Sequence, residues 1–231
     1  MGDASKRLQA TSATISGMAR HDALLFDFDG TIADSRVPYT RSLNHALAEV
    51  GLPTHAPEDL YQYLGPPMQQ TLTEFLQVPA ELVDRVTALY RELYAQIGPT
   101  ETRAYDGIPE LLRTLHGRLP LAVATSKILP LAEMLLEQMG LRELFDVVAA
   151  PAPDVVNESK STTIASALAA LDQPAAAVMI GDRFYDVVGA SAHGLPTVGV
   201  LWGSGSEQEL REAGARWLAK TPDEIPGLLG L

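Results

Sequence analysis

Residues Ala23–Thr31 read Ala-Leu-Leu-Phe-Asp-Phe-Asp-Gly-Thr, an apolar run that ends in two aspartates, a glycine and a threonine. The first four residues do not alternate with polar ones, which indicates a strand buried on both faces, as in a parallel sheet. Asp27 and Asp29 are two residues apart, so in extended backbone their carboxylates point the same way. Because such like charges repel, the pair favours a cation beside it.

The same arrangement of a short apolar run followed by polar residues occurs twice more. Leu121–Ala124 is followed by Thr125-Ser126-Lys127, and Ala177–Ile180 is followed by Gly181-Asp182, with Asp186 four residues further on. Helical patterns separate the runs, at residues 108–115, 131–139, 162–171 and 187–192. This alternation predicts an α/β fold with a doubly wound (Rossmann-like) parallel sheet, in which ligands bind beyond the carboxyl ends of the strands.

Between Asp34 and Arg103 the strand pattern disappears. Apolar residues recur there at three- and four-residue spacing, which is typical of amphipathic helices, and prolines break the region into short pieces. We therefore expect an all-helical insert at residues 35–103, directly after the first strand, in an α/β core formed by residues 21–34 and 104–231. Residues 1–20, rich in Ser, Thr, Ala and Gly, are expected to be a disordered tail.

The composition excludes several classes of protein. Of the 231 residues, 46% are hydrophobic and 20% are charged, a balance typical of globular proteins. The net charge of -12 argues against nucleic-acid or anionic-membrane partners, and the absence of cysteine excludes disulfides, thiolate metal sites and a cysteine nucleophile. No apolar run approaches the ~20 residues that span a bilayer, and the N-terminal residues lack a secretory signal pattern. We expect a cytoplasmic protein.

Each polar cluster also has an ordinary explanation when it is considered alone. A calcium loop of the EF-hand type is excluded, because Ile32 stands where its turn glycine belongs and Pro38 where its closing glutamate belongs. The explanations that stay open are a solvated acidic turn at Asp27–Gly30, a helix N-cap at Thr125–Ser126, a surface position for Lys160 and a second N-cap at Asp182.

Taken together, the clusters favour a site for a phosphoryl group and a metal ion. Carboxylate oxygens such as those of Asp27, Asp182 and Asp186 suit Mg²⁺, which prefers hard oxygen ligands. A hydroxyl and free backbone N–H groups at a strand end, as at Thr125–Lys127, can cradle a phosphoryl oxygen. Lys160, one of four lysines in the chain, can offset the charge of a carboxylate and a phosphoryl group.

In this order the residues resemble the motifs of the haloacid dehalogenase-like phosphohydrolases, in particular the phosphoglycolate phosphatase and nucleotidase branch with a small helical cap. The resemblance extends over about Leu24–Leu228, and Val198–Gly203 resembles the last core strand of that family. One departure is that Lys160 follows Glu158-Ser159 instead of the commoner Lys-Pro sequence. The motifs that carry the resemblance are Asp27–Thr31, Thr125–Lys127, Lys160 and Gly181–Asp182 with Asp186.

The resemblance implies a role for each of these residues. Asp27 would be the nucleophile that takes the phosphoryl group as an aspartyl-phosphate, and Asp29 would be the general acid and base. Ser126 and Lys160 would hold the transferring oxygens. The implied Mg²⁺ ligands are Asp27, the main-chain carbonyl of Asp29, Asp182 and Asp186. The implied substrate-binding residues are Thr31, Thr125, Lys127 and the insert turn Gly65-Pro66-Pro67-Met68.

The implied activity is magnesium-dependent hydrolysis of a small-molecule phosphate monoester. A haloacid dehalogenase would lack Asp29, and a phosphonoacetaldehyde hydrolase would need an insert lysine, of which residues 35–103 contain none. A sugar phosphomutase is disfavoured because the first insert helix begins Pro38-Tyr39-Thr40, without the histidine that it uses. Phosphoglycolate phosphatase and 5'-nucleotidase stay open. A phosphoryl-accepting signalling domain is the alternative outside the family; the chain length, the Asp27/Asp29 pair and the insert argue against it.

The insert also bears on the leaving group. A turn that reads Gly65-Pro66-Pro67-Met68 offers backbone groups and apolar contact, and no fixed positive charge. We therefore expect a bulky neutral leaving group, such as a ribosyl, sugar or aromatic moiety, to be preferred over a second anion such as glycolate. Met68, Tyr61 and Tyr63 are the candidate selecting residues.

Overall fold

The computed structural model describes residues 21–155 and 158–231, so the tail expected at residues 1–20 lies outside the described residues. The strands are β1 (Ala23–Phe26), β2 (Ala33–Asp34), β3 (Arg103–Ala104), β4 (Leu121–Ala124), β5 (Val147–Ala149), β6 (Ala177–Gly181), β7 (Thr197–Val200) and β8 (Trp217–Ala219). Six of them form one sheet in the order β5-β4-β1-β6-β7-β8, with every pair parallel. The predicted α/β parallel sheet is confirmed.

Strand β1 lies in the middle of the sheet and is buried on both faces. Leu24 and Phe26 belong to an apolar cluster on one face, and Leu25 belongs to a second cluster on the other. Phe26 pairs with Val123 of β4 and with Ile180 of β6, so the three strands end side by side. The polar residues that follow each strand are therefore brought to one edge of the sheet.

Helices cover both faces of the sheet and form the region between β2 and β3. The insert contains α1 (Arg36–Glu49), α2 (Pro57–Tyr61), α3 (Met68–Gln70), a π-helical turn (Thr71–Phe75) and α4 (Ala80–Glu101). The core contains α5 (Ile108–Leu115), α6 (Leu129–Gln138), a 3₁₀ turn (Arg142–Leu144), α7 (Lys160–Ala170), α8 (Phe184–Ser191), α9 (Glu207–Ala213) and α10 (Glu224–Leu229). Among residues 21–155 and 158–231, no helix has the length and apolar character needed to cross a membrane.

One expectation about the strands is wrong. Val198–Gly203 was expected to resemble the last core strand, but the strand there ends at Val200 and β8 follows it at the sheet edge. Strands β5 and β8 have three residues each, and β2 and β3 have two, which is too short for a periodic pattern to be recognised.

The insert leaves and re-enters the core at one place. Strands β2 and β3 pair antiparallel, with Ala33 opposite Ala104 and Asp34 opposite Arg103. Within the insert, α1 and α4 pack against each other, and the rings of Tyr39 on α1 and Tyr90 on α4 lie 6.0 Å apart between centroids. The apolar cluster on one face of the sheet continues into these helices, so the insert and the sheet share a core.

Candidate active site

Three buried carboxylates meet at the carboxyl edge of the sheet. Asp27 follows β1, Asp182 follows β6, and Asp186 lies in the first turn of α8. One oxygen of each lies within 4.8 Å of the others, and the three residues are 3%, 1% and 0% exposed. We call this group the carboxylate cluster. It brings together three of the four aspartates expected to bind metal.

Burial raises the cost of ionising these carboxylates. It raises the pKa of Asp27 to about 7, with the charge of Asp186 acting in the same direction and Lys160 opposing it. Burial, together with the charges of Asp186 and Asp27, also raises the pKa of Asp182 well above its usual range. Like charges in a dry site favour a bound cation, because a cation stabilises their ionised forms.

Lys160 supplies one positive charge to the cluster. Its ammonium nitrogen donates to Asp27 Oδ1 at 2.6 Å and to the carbonyl oxygen of Ala124 at 3.0 Å, and it lies 3.0 Å from Asp186 Oδ1. Burial alone would lower the pKa of this amine, but the charges of Asp186 and Asp27 more than offset that effect and raise it. The surface position considered for Lys160 from its sequence is therefore wrong, since the residue is 8% exposed.

Asp29 lies beside the cluster and has different partners. Its Oδ1 accepts a hydrogen bond from Ser35, and its Oδ2 lies 3.2 Å from Lys127 Nζ. The same ammonium donates to Tyr94 Oη at 3.1 Å and lies 4.4 Å from the centre of that ring. Although burial lowers the pKa of Lys127, the Asp29 charge and Tyr94 raise it overall, so the amine stays protonated.

A cavity of about 320 Å³ opens next to Asp29, between the core and the insert. Met68 lines it, whereas Tyr61 and Tyr63, the other two candidate selecting residues, are not among its lining residues. The predicted site residues that line it are Asp29, Gly65, Pro66, Pro67, Met68, Ser126 and Lys127. Asp29 therefore lies between the carboxylate cluster and a space of metabolite size.

Two predicted substrate-binding residues lie elsewhere. The hydroxyl of Thr31 is buried and is directed at Asp182 Oδ1, 3.4 Å away. Thr125 Oγ1 accepts a hydrogen bond from the backbone N–H of Lys127 at 3.1 Å, which shapes the turn after β4. Neither residue is among those that line the cavity. Their contacts, to Asp182 and to the backbone of Lys127, are typical of residues that position other site residues.

Glycines make room for the cluster. A Cβ at Gly30, whose φ is +85°, would lie 2.2 Å from Asp182 Oδ2, and one at Gly203 would lie 2.4 Å from the same atom. A Cβ at Gly181 would lie 2.3 Å from Asp186 Cγ. Atoms do not approach so closely, so only glycine allows these carboxylates to sit against the backbone.

Several residues of the site were not predicted from the sequence. Ser35 and Tyr94 lie in the insert region and belong to no recognisable motif. In the sequence, Tyr94 is one residue of the apolar stripe of α4. Arg183 stands inside the Gly-Asp-Arg sequence after β6, yet its side chain points to the insert, where it donates to two carbonyl oxygens. The glycine and serine residues at 203–206 were a visible signal for a loop that packs on Asp182.

Residues 24–200 match a family model described as haloacid dehalogenase-like hydrolase. The chain belongs to this family. It is 36% identical over 212 residues to the tyrosine-protein kinase PtkA of Mycobacterium tuberculosis, with 90% of this chain and 72% of the relative covered. It is also 36% identical over 194 residues to a 5'-nucleotidase of Pseudomonas aeruginosa, with 83% of this chain and 88% of the relative covered.

The fold matches a solved structure of a predicted phosphatase from Clostridium acetobutylicum. The TM-score is 0.87 at 33% sequence identity, and the match covers 92% of this chain and 100% of that chain. The protein is thus a phosphatase of the haloacid dehalogenase-like family, and the alternative of a phosphoryl-accepting signalling domain is wrong.

The contact between Gly30 and Asp182 gives a first prediction. Gly30→Ala should lower phosphatase activity by about 100-fold or more, because the new methyl group would displace a carboxylate of the cluster. Gly51→Ala is the control, since Gly51 also has positive φ (+75°) but would place its Cβ in open space. Phosphate release by the two folded variants measures the difference; equal rates would contradict the prediction.

Proposed function

We propose that this phosphatase is magnesium-dependent and hydrolyses a small-molecule phosphate monoester through an aspartyl-phosphate on Asp27. The observation that carries the proposal is the carboxylate cluster, in which Asp27 lies with Asp182 and Asp186. The hydrogen bond from Lys160 holds Asp27 Oδ1 in place, and the carboxylate stands at the end of a rigid central strand.

The cluster fits a magnesium ion. Its three carboxylates supply hard oxygen ligands, and the single ammonium of Lys160, which lies 2.6 Å from Asp27 Oδ1 and 3.0 Å from Asp186 Oδ1, offsets only part of their charge. Asp27, Asp182 and Asp186 would hold the ion, with the main-chain carbonyl of Asp29 as the further ligand that the family resemblance implies. A bound magnesium ion would offset the repulsion between Asp27 and an anionic phosphate.

The reaction would proceed in two steps on Asp27. One oxygen of its carboxylate would form a bond to phosphorus while the bond from phosphorus to the ester oxygen breaks. A water oxygen would then attack the same phosphorus, and the bond to Asp27 would break and release inorganic phosphate. Lys160, and Ser126 on the cavity wall, are the groups that would bind the phosphoryl oxygens during both steps.

Asp29 would move the protons. In the first step its carboxyl would protonate the departing alkoxide, and in the second its carboxylate would take a proton from the attacking water. Ser35 and Lys127 hold the two oxygens of Asp29, so its orientation is defined. Its place on the wall of the cavity is where a leaving-group oxygen would stand.

The charges around the cavity bear on the leaving group. Asp84, Asp154 and Glu158 line it, and the described cations on its wall are Arg91 and Lys127. Lys127 is paired with Asp29, so the charge of Arg91, which donates to the carbonyl oxygen of Pro153 at 3.1 Å, is opposed by three further carboxylates. A second anionic group would therefore be repelled, which supports a neutral leaving group such as a nucleoside or sugar.

The insert at residues 35–103 would be the unit that selects this leaving group, and residues 21–34 with 104–231 would form the catalytic core. The insert supplies Met68, Tyr90 and Arg91 to the cavity, while the core supplies Asp29 and Ser126. A selecting unit separate from the phosphoryl site would let the same chemistry serve a specific leaving group.

Phosphate release in the presence of magnesium tests the proposal. Asp27→Asn should abolish turnover of p-nitrophenyl phosphate, because an amide is a poor nucleophile and a poorer metal ligand. EDTA should abolish the activity of the unchanged protein, and calcium should restore it poorly. Asp146→Asn is the control, since Asp146 is a carboxylate that accepts a backbone N–H away from the cluster. Activity retained in folded Asp27→Asn, or in EDTA, would overturn the proposal.

Asp29→Asn should separate proton transfer from metal binding. We expect turnover of an alkyl monoester to fall by ~100-fold or more, the usual contribution of a positioned general acid and base. The loss should be smaller on p-nitrophenyl phosphate, whose leaving group hardly needs a proton. Asp34→Asn is the control, because that carboxylate pairs with Arg36 at the entrance of the insert. Equal losses on both substrates would give Asp29 a structural role instead.

A substrate panel tests the leaving group. Among adenosine 5'-monophosphate, ribose 5-phosphate and phosphoglycolate, we expect the nucleotide or the sugar phosphate to be hydrolysed with the highest kcat/KM. Met68→Ala should change this ranking more than it changes the rate on p-nitrophenyl phosphate, whereas Met134→Ala, the same change on α6, should not. A panel led by phosphoglycolate would contradict the prediction.

One relative is named as a tyrosine kinase, so the assay should also test for kinase activity. Incubation with ATP and a tyrosine-containing peptide distinguishes transfer of a phosphoryl group to water from transfer to a phenol oxygen. We expect release of phosphate from monoesters and no phosphopeptide. Phosphopeptide formation without monoester hydrolysis would replace the proposed function.

A further inference from the structure

Arg183 links the carboxylate edge of the core to the insert. Its side chain is buried, and Nη1 donates hydrogen bonds of 2.8 Å to the carbonyl oxygens of Gln62 and of Leu64. Its Nε donates to Glu209 Oε1 at 2.9 Å, and its backbone N–H donates to Asp186 Oδ2 at 3.1 Å. The residue thus contacts the carboxylate cluster through its main chain and the insert through its guanidinium.

The two carbonyl groups belong to the turn that leads into the Gly65–Met68 loop. The carbonyl between them, that of Tyr63, accepts a hydrogen bond from Tyr39 Oη at 2.9 Å. Three consecutive carbonyl groups are therefore fixed, two of them by one side chain of the core. A Cβ at Gly65, whose φ is +116°, would lie only 3.5 Å from Arg183 Cγ, so the loop also passes close to the arginine stem.

We propose that Arg183 is a positioning residue that holds the Gly65–Met68 loop against the cavity, so that the loop contacts the leaving group while Asp27 reacts. The inference rests on the proposed function where it is tested by kinetics, but its test by amide hydrogen exchange does not depend on that function. Arg183 itself does not line the cavity. Its effect would be exerted through the loop.

The chemistry of arginine suits this task. Its planar guanidinium presents several donors in a fixed arrangement, so it can bind Glu209 on one edge and two carbonyl oxygens on another. Glu209 also accepts the backbone N–H of Phe184 at 2.9 Å, which fixes the carboxylate that orients the guanidinium. The acceptors on the insert are main-chain atoms, so the link is independent of the side chains that would select the substrate.

The test compares Arg183→Gln with Arg142→Gln. Arg142 is a matched control, because it also bonds a glutamate, Glu133, and a carbonyl oxygen, that of Phe145, but on a remote surface of the core. Arg183→Lys and Glu209→Gln are the milder variants, which carry the test if Arg183→Gln does not fold. The readouts are amide hydrogen exchange at Leu64 and Thr71, which flank the loop and donate to the carbonyl oxygens of Tyr61 and Pro67, and kcat and KM on acetyl phosphate and on the preferred monoester of the panel.

In Arg183→Gln we expect amide exchange at Leu64 and Thr71, on either side of the loop, to become about tenfold faster, since the loop loses its anchor. We expect kcat/KM for the preferred monoester to fall by about tenfold or more, with a smaller change for acetyl phosphate, whose leaving group is small. The magnesium concentration that gives half-maximal activity should not change. Arg142→Gln should match the unchanged protein in all three measurements.

Two results would overturn the inference. One is loop exchange in the Arg183 variants that equals that of Arg142→Gln; the other is an equal loss on both substrates. The failure of the proposed function is distinct, because a protein that releases no phosphate from any monoester can still be compared by exchange. In that case, faster loop exchange in the Arg183 variants would support the positioning role of Arg183. The absence of phosphate release would reject the proposed function alone.

Discussion

The constraint on which this structure depends is the burial of three carboxylates within 4.8 Å of one another. Charges removed from water repel strongly, and the pKa values of Asp27 and Asp182 rise accordingly. The fold meets this cost with a buried ammonium on Asp27, backbone N–H groups on Asp182 and Asp186, and glycines that let the carboxylates lie against the main chain. Neighbouring parallel strands that end in register supply the rigid frame.

Asp27 and Asp29, the two aspartates that follow β1, are bound by different side chains. Asp27 belongs to the cluster and is bound by Lys160, while Asp29 is turned to the cavity and is held by Ser35 and Lys127. Two carboxylates two residues apart thus have different partners and can serve different steps. The partners of Asp29 come from both parts of the molecule, because Ser35 is the first residue of the insert and Lys127 belongs to the core.

The sequence predicted those features that a local pattern expresses. Strands β1, β4 and β6 were found within one residue, because apolar runs of four residues end there at polar clusters. The cluster followed from the rule that parallel strands end at one edge. Partners such as Ser35, Tyr94 and Arg183 were not found, because their roles depend on how the insert folds back over the core, and no spacing along the chain encodes that. The short strands β2, β3, β5 and β8 were missed for lack of length.

The antiparallel pairing of β2 and β3 has a consequence for how such proteins evolve. Because Ala33 and Ala104 are direct neighbours, the ends of the insert are about 5 Å apart, whatever lies between them. Adjacent ends allow a segment of another length or sequence to join the same two strands, provided that it also rebuilds the apolar core that the insert shares with the sheet. Recombination at these two crossings would therefore also have to bring replacements for Ser35 and Tyr94, which hold Asp29 and Lys127.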